Sequence, residues 1–240
     1  MWNTIKQNYT DLMDFLRNPK EQSALELTLI EKLKKVFSLF IIEIPIMGIL
    51  IISISGLETM GLLNSEEHKF NDLIKTWPIW SVLLFTVVVG PFFEELIFRS
   101  YLRYKKNYLF NFIISLVSLT GFRNEQKLDT FLRSFWKKRY KFIFYFSAVL
   151  FGLVHICNFK FSYTILLLSP ILVAPQIVLG LFIGFLRVRY GFILGFLLHV
   201  IHNALFIGIT LIFMTNIPRQ LNIKKNNYSN KVEKIKNSNY

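Results

Sequence analysis

The sequence has one cysteine, Cys157, so no disulfide can form within the chain. It has four histidines and no HExxH pair, the helical spacing by which many zinc peptidases hold their metal. The opening residues, MWNTIKQNYTDLMDFLRN, lack the apolar core and small-residue cleavage site of a secretory signal, so the first spanning helix itself is expected to direct insertion. Acidic residues are scarce, 15 against 28 lysines and arginines, for a net charge of +13. Internal repeats, the usual mark of a small transporter, are absent.

Apolar residues are plentiful. The chain is 53% hydrophobic and 16% aromatic, with a mean hydropathy of +0.43, too apolar for an ordinary soluble domain. The expected fold is all-α: a polytopic transmembrane helical bundle with a polar intramembrane cavity. Its bases cluster beside apolar runs and form no extended basic face. That pattern points to positive-inside topology and contact with anionic lipid, and away from nucleic acid as a partner.

Residues 1–33 mix acids, bases and leucines and are expected to form an amphipathic segment at the cytoplasmic surface. A membrane domain is expected over 34–215, followed by a disordered basic tail over 216–240. The first span is read at 36–56, close to the roughly 20 residues that a bilayer demands; Glu43 within it is read as facing the bundle interior. The loop 57–76 is poor in positive charge and is placed outside. Span two runs from Trp77 to about Leu102, with Pro91 expected to bend it one turn before Glu94. The short apolar stretch 108–122 has basic flanks on both sides and is read as re-entrant or interfacial, within a basic insertion over 103–141. Its part from 120 to 141 is expected to be a solvated inner loop. Spans three, four and five are read at 140–158, 161–187 and 190–215, with Arg187 and Arg189 marking an inner end. Pro170 and Pro175 leave open whether span four is one crossing or two.

Few polar residues fall inside these spans: Glu94, Glu95 and Arg99 on the second, His155 on the third, and His199, His202 and Asn203 on the fifth. Placing a charge at mid-bilayer costs about 2.5–3.5 kcal/mol on insertion scales, so such residues usually face an interior and work there. Glu95 and Arg99 are one helical turn apart and can neutralise each other, leaving Glu94, rotated by ~100°, to face another helix. His199 and Asn203 share a helix face, His202 lies at its edge, and Phe151 can wall the pocket of His155. Counted from the basic boundaries at ~1.5 Å per residue, Glu94, His155 and His199 all lie roughly 14–21 Å deep. A carboxylate and two histidines in one buried layer suit general base catalysis on water, and an imidazole with a carboxamide can stabilise an oxyanion. The same residue types, His155, His199 and Glu94, could instead hold zinc.

Taken in order, Glu94-Glu95-xxx-Arg99, Phe151-xxx-His155 and His199-xxx-Asn203 resemble the motifs of the CAAX prenyl endopeptidases and bacteriocin-processing enzymes, the CPBP (Abi) family of intramembrane proteases. The resemblance covers roughly 77–210, and the glycine-rich stretch 179–191 that precedes the last motif belongs to it. It implies an intramembrane protease in which Glu94 activates water, His155 positions it, and His199 with Asn203 stabilises the tetrahedral intermediate. Glu95 and Arg99 would be structural support. Phe151 and His202 would line or back the site. That mechanism needs no cofactor, although the family is commonly described as metalloproteases and zinc is the possible one. Implied partners are a peptide or lipidated protein substrate and membrane lipid, in a bacterial cytoplasmic membrane. The family usually has glycine after the motif arginine, where this chain has Ser100, a change expected to loosen helix packing. Two other readings use the same residues: a non-catalytic peptide-binding or bacteriocin-immunity membrane protein, and a proton-relaying transporter.

Overall fold

The computed structural model describes residues 2–22, 26–64, 68–119 and 125–212. The chain divides into two compact units, Met1–Ile201 and His202–Tyr240. The basic tail read over 216–240 lies outside the described residues.

The first unit is helical. Its helices are α1 (Trp2–Arg17), α2 (Leu29–Thr59), α3 (Lys69–Thr76), α4 (Ile79–Leu83), α5 (Gly90–Arg99), α6 (Tyr108–Leu119), α7 (Glu125–Val154), α8 (Tyr163–Leu172) and α9 (Ala174–Tyr190). A further helix, α10 (Phe192–Ile212), passes into the second unit at His202. Among the described residues there is no strand; one isolated bridge pairs His68 with Phe159. Five stretches are long and apolar enough to cross a membrane: Leu29–Thr59, Ile79–Leu102, Gln126–Asn158, Tyr163–Tyr190 and Phe192–Ile212. The chain is thus a multi-pass integral membrane protein. Their outward faces carry bare apolar side chains such as Ile49, Ile52, Phe142 and Leu167, as lipid contact requires.

Two boundaries differ from the sequence reading, each for a local reason. The amphipathic segment stops at Arg17, and the LIEKL run expected to belong to it begins α2 instead. Thr28 caps that helix: its hydroxyl accepts from the Glu31 N–H at 3.3 Å while the Glu31 carboxylate accepts from the Thr28 N–H at 2.8 Å. Of the segment 120–141 expected to be a solvated loop, 120–124 lie outside the described residues and 125–141 are the first half of α7. Trp136, Tyr140, Phe144 and Ala148 are buried at intervals of four, so the stripe that packs α7 in the membrane continues back through the basic residues. Tyr104 reinforces this half by donating its hydroxyl to Asp129 at 2.8 Å; burial, and then that bond, push its pKa up to about 12. Span four, left open between one crossing and two, turns at Val173 between α8 and α9. The ten residues of α8 reach only ~15 Å, so Tyr163–Tyr190 supplies one crossing and not two.

Helix α7 packs on α9 through small residues. A side chain at Gly180 would meet Arg99 Nη2 at 3.2 Å and Ala148 Cα and Phe151 Cδ1 at 3.3 Å, and one at Gly184 would meet Phe144 at 2.9 Å. Close backbone approach of this kind is how helices associate in lipid. Gly180→Leu is expected to cost about 1–3 kcal/mol by overpacking, read as a lowered unfolding temperature in detergent. Helix α1 closes one end of the pair by inserting Phe15 at 5.0 Å from Phe144 and 5.3 Å from Phe185. Lys35 of α2 holds it there, donating to Asn8 at 2.5 Å and pairing with Asp11 at 3.3 Å.

At the other end, α3 is tied to the turn that follows His155. Lys69 donates to the Cys157 carbonyl at 2.9 Å, Lys160 pairs with Asp72 at 3.1 Å, and the His68 ring lies 4.8 Å from that of Phe159. His68 Nδ1 accepts from the Phe70 N–H at 3.2 Å, which only an unprotonated Nδ1 can do, and burial pushes the His68 pKa down. A depressed histidine pKa stabilises the fold above the unfolded value near 6.5 and loses that contribution as pH falls through the folded value. The protection of α3 amides, their exchange rate relative to the intrinsic rate at the same pH, is therefore expected to fall below about pH 6, and not to do so in His68→Asn, whose side chain caps without titrating. An equal loss of protection in both chains would refute this.

Candidate active site

Glu94, Glu95 and Arg99 lie on α5, and an unusual turn precedes them. Leu84–Val89 is π-helical, and the Gly90 N–H reaches back five residues to the Phe85 carbonyl. Pro91 follows and has no N–H to give. Position 90 must be small here, because a Cβ would lie 2.9 Å from the Phe85 oxygen. The bend expected from Pro91 is thus a π-helical turn, a feature that recurs at functional sites.

The two glutamates occupy different surroundings. Glu95 is 1% exposed, and one oxygen, Oε1, serves both Arg99 Nη1 at 3.4 Å and His199 Nδ1 at 3.1 Å. Glu94 keeps 31% of its side chain exposed and places Oε2 3.5 Å from His199 Nε2. The imidazole of α10 is therefore bracketed by consecutive carboxylates of α5, one at each ring nitrogen. A carboxylate that orients a histidine through Nδ1 fixes which nitrogen faces the reaction.

Phe151, fully buried on α7, joins the remaining groups. The Arg99 guanidinium lies 3.7 Å from its ring centre, His155 4.5 Å and His199 5.7 Å. The cation–π contact offsets part of the cost of burying Arg99, whose nitrogens have no hydrogen-bond partner among the described residues beyond the ion pair. His155 begins the 3-10 turn His155–Asn158 that closes α7, and its Nδ1 lies 2.7 Å from the Phe151 carbonyl. A carbonyl only accepts, so Nδ1 carries a proton and Nε2 of the neutral ring is left with its lone pair.

Glu94, Glu95, Arg99, Phe151, His155 and His199 thus come together in the first unit. His202 and Asn203 belong to the second unit, where the His202 ring lies 4.6 Å from that of Phe206. A catalytic zinc requires three protein ligands. Among the described residues no three His, Cys, Asp or Glu side chains are grouped to hold a metal. Of the zinc candidates, Glu94 and His199 approach each other, while His155, its Nδ1 bonded to the Phe151 carbonyl, keeps the Nε2 lone pair by which a histidine binds a metal.

A family model described as type II CAAX prenyl endopeptidase Rce1-like matches residues 76–205. The chain belongs to this Rce1-like family. The matched stretch holds every candidate site residue, and residues 1–75 fall outside it. No curated protein and no solved structure matches the chain. Rce1-like membership supports intramembrane endopeptidase function in general, and the family implies a peptide or prenylated protein as substrate.

Sequence reasoning missed part of what surrounds these residues. Arg187, read as a marker of the membrane boundary, is 4% exposed and donates Nε to the Arg99 carbonyl at 3.2 Å. The second role of Glu95, orienting His199, was equally hidden, because helical spacing relates a residue only to its own helix. Ser100, which replaces the usual glycine, sits at φ −58°, ψ −39°, a conformation open to any residue.

Proposed function

We propose that the protein is an intramembrane endopeptidase that hydrolyses a peptide bond of a membrane-associated or lipidated peptide, with Glu94 as the base that activates water. The observation that carries this reading is the division between the two glutamates: Glu95 is sealed against Arg99 and His199, whereas Glu94 stays accessible beside the same histidine. Water donates one hydrogen bond to Glu94 and another to His155 Nε2. As Glu94 takes the proton, the water oxygen attacks the carbonyl carbon and the C–O π pair moves onto oxygen. Glu95 holds His199 by Nδ1, so that Nε2 faces Glu94 and can relay that proton towards the oxyanion side or the departing amine. Collapse of the intermediate breaks the C–N bond, and the proton leaves with the amine. The role of Asn203 as oxyanion donor rests on the family resemblance alone.

The test is cleavage of a quenched library of peptides bearing a prenylated cysteine, by purified protein in detergent, for wild type, Glu94→Ala and His199→Ala, each with and without a zinc chelator. The reading expects loss of cleavage in both variants and full activity under chelation. Chelator-sensitive cleavage would overturn the metal-free mechanism. No cleavage of any member by the wild type would favour a peptide-binding role for the same cavity.

A further inference from the structure

Helix α5 ends within the bundle. At Arg99 the backbone turns to φ −124°, ψ −11°, and Ser100–Leu102 tightens into a 3-10 turn. The last carbonyls of a helix have no N–H partner of their own, and a buried one left unsatisfied costs about 1–3 kcal/mol. Two of these, and the carbonyl that ends the 3-10 turn, are met by side chains from two other helices. Ser147 donates its hydroxyl to the Phe98 carbonyl at 2.6 Å, Arg187 its Nε to the Arg99 carbonyl at 3.2 Å, and Tyr140 its hydroxyl to the Leu102 carbonyl at 2.9 Å. Each donor is at most 4% exposed, so water does not compete for these carbonyls.

These three bonds do more than satisfy acceptors. Tyr140 and Ser147 stand two turns apart on α7, and Arg187 comes from α9, so the end of α5 is held at three points on two neighbours. Bonds at these three points oppose rotation and sliding of the helix end. Rotation is what would matter chemically, because Glu94 and Glu95 are consecutive: a turn of α5 that exposed Glu95 would carry Glu94 away from His199. We propose that Tyr140, Ser147 and Arg187 are positioning residues that set the rotation and depth of α5, and through it the directions in which Glu94 and Glu95 present their carboxylates. The catalytic half of this inference rests on the reading of Glu94 as base; the geometric half does not.

Two readouts on the purified full-length chain separate the halves. The first is cleavage of the prenylated peptide library. Ser147→Ala and Arg187→Gln are expected to lower kcat about tenfold or more with KM within about twofold, since misplacement by ~1 Å costs rates of this order without touching binding. Ser147→Thr, which keeps the hydroxyl, is expected to retain activity. The second readout is labelling of carboxyls by dicyclohexylcarbodiimide, followed by peptide mass spectrometry. Wild type should label Glu94 and spare Glu95, whereas the capping variants should label Glu95 roughly three- to tenfold faster, the shift in population that one lost hydrogen bond brings. Glu43, fully buried on α2, is the control: it should stay unlabelled, and its labelling together with Glu95 would mean general loosening and overturn the proposal. Tyr140→Phe removes a single hydroxyl and serves if the other variants do not fold. Faster Glu95 labelling with an inactive wild type would sink the protease reading and leave the positioning role standing. Variants that match wild type in both readouts, or that change KM alone, would sink the positioning role.

Discussion

Glu94→Gln is expected to fold like the wild type and to lose cleavage by ~10²–10⁴-fold, the range that a positioned general base supplies. Glutamine keeps the size of the side chain and an oxygen beside His199, but it cannot take a proton from water. The fold should hardly register the change, because Glu94 retains 31% of its side-chain exposure and the ion pair of Glu95 with Arg99 is untouched. A stability change of no more than about 1.5 kcal/mol is expected, the range of one polar contact, here the one to His199. Thermal unfolding and single-turnover cleavage on the same preparation check both halves. A variant that keeps more than about a tenth of wild-type kcat would exclude Glu94 as the base. The loss should fall on kcat with KM preserved, since the proton transfer occurs only in the transition state.

The contrast between Glu94 and Glu95 also marks where sequence legibility stopped. That both lie on one helix, and that one of them meets Arg99, follows from the 3.6-residue period; the observed ion pair at 3.4 Å is what that period requires. The spans were legible for the same kind of reason, because twenty apolar residues have few other uses. What could not be read was contact between helices. Nothing local tells that Glu95 Oε1 reaches His199 on a helix a hundred residues later, or that Arg187 turns inward to a carbonyl rather than outward to solvent. Hydropathy likewise stopped at the basic run before Tyr140, although Trp136 and Tyr140 continue the buried stripe of α7 through it. Lysine and arginine favour a helix and merely line its wet faces, so their charge hid an element that periodicity would have found. The π-helical turn left only Gly90-Pro91 as its trace, a dipeptide that signals a break without saying which kind.

Arg99→Met is expected to destabilise the fold by about 3–5 kcal/mol, because it leaves Glu95 buried at 1% exposure with no cation beside it. The Phe151 ring would also lose the guanidinium now 3.7 Å from its centre, worth about 0.5–2 kcal/mol. For a chain of this size the unfolding temperature should fall by roughly 10 °C. Removing both charges in Glu95→Leu/Arg99→Met should recover most of that loss, since a buried ion pair is often no more stabilising than apolar groups of similar volume. Activity should not return with stability. His199 Nδ1 would then lack the carboxylate now 3.1 Å away, and nothing would turn its Nε2 towards Glu94. The double variant therefore separates the two duties of Glu95, neutralising Arg99 and orienting His199. A double variant both stable and fully active would assign Glu95 no part in the chemistry; one as unstable as Arg99→Met would mean that the His199 contact, and not the ion pair, holds this layer together.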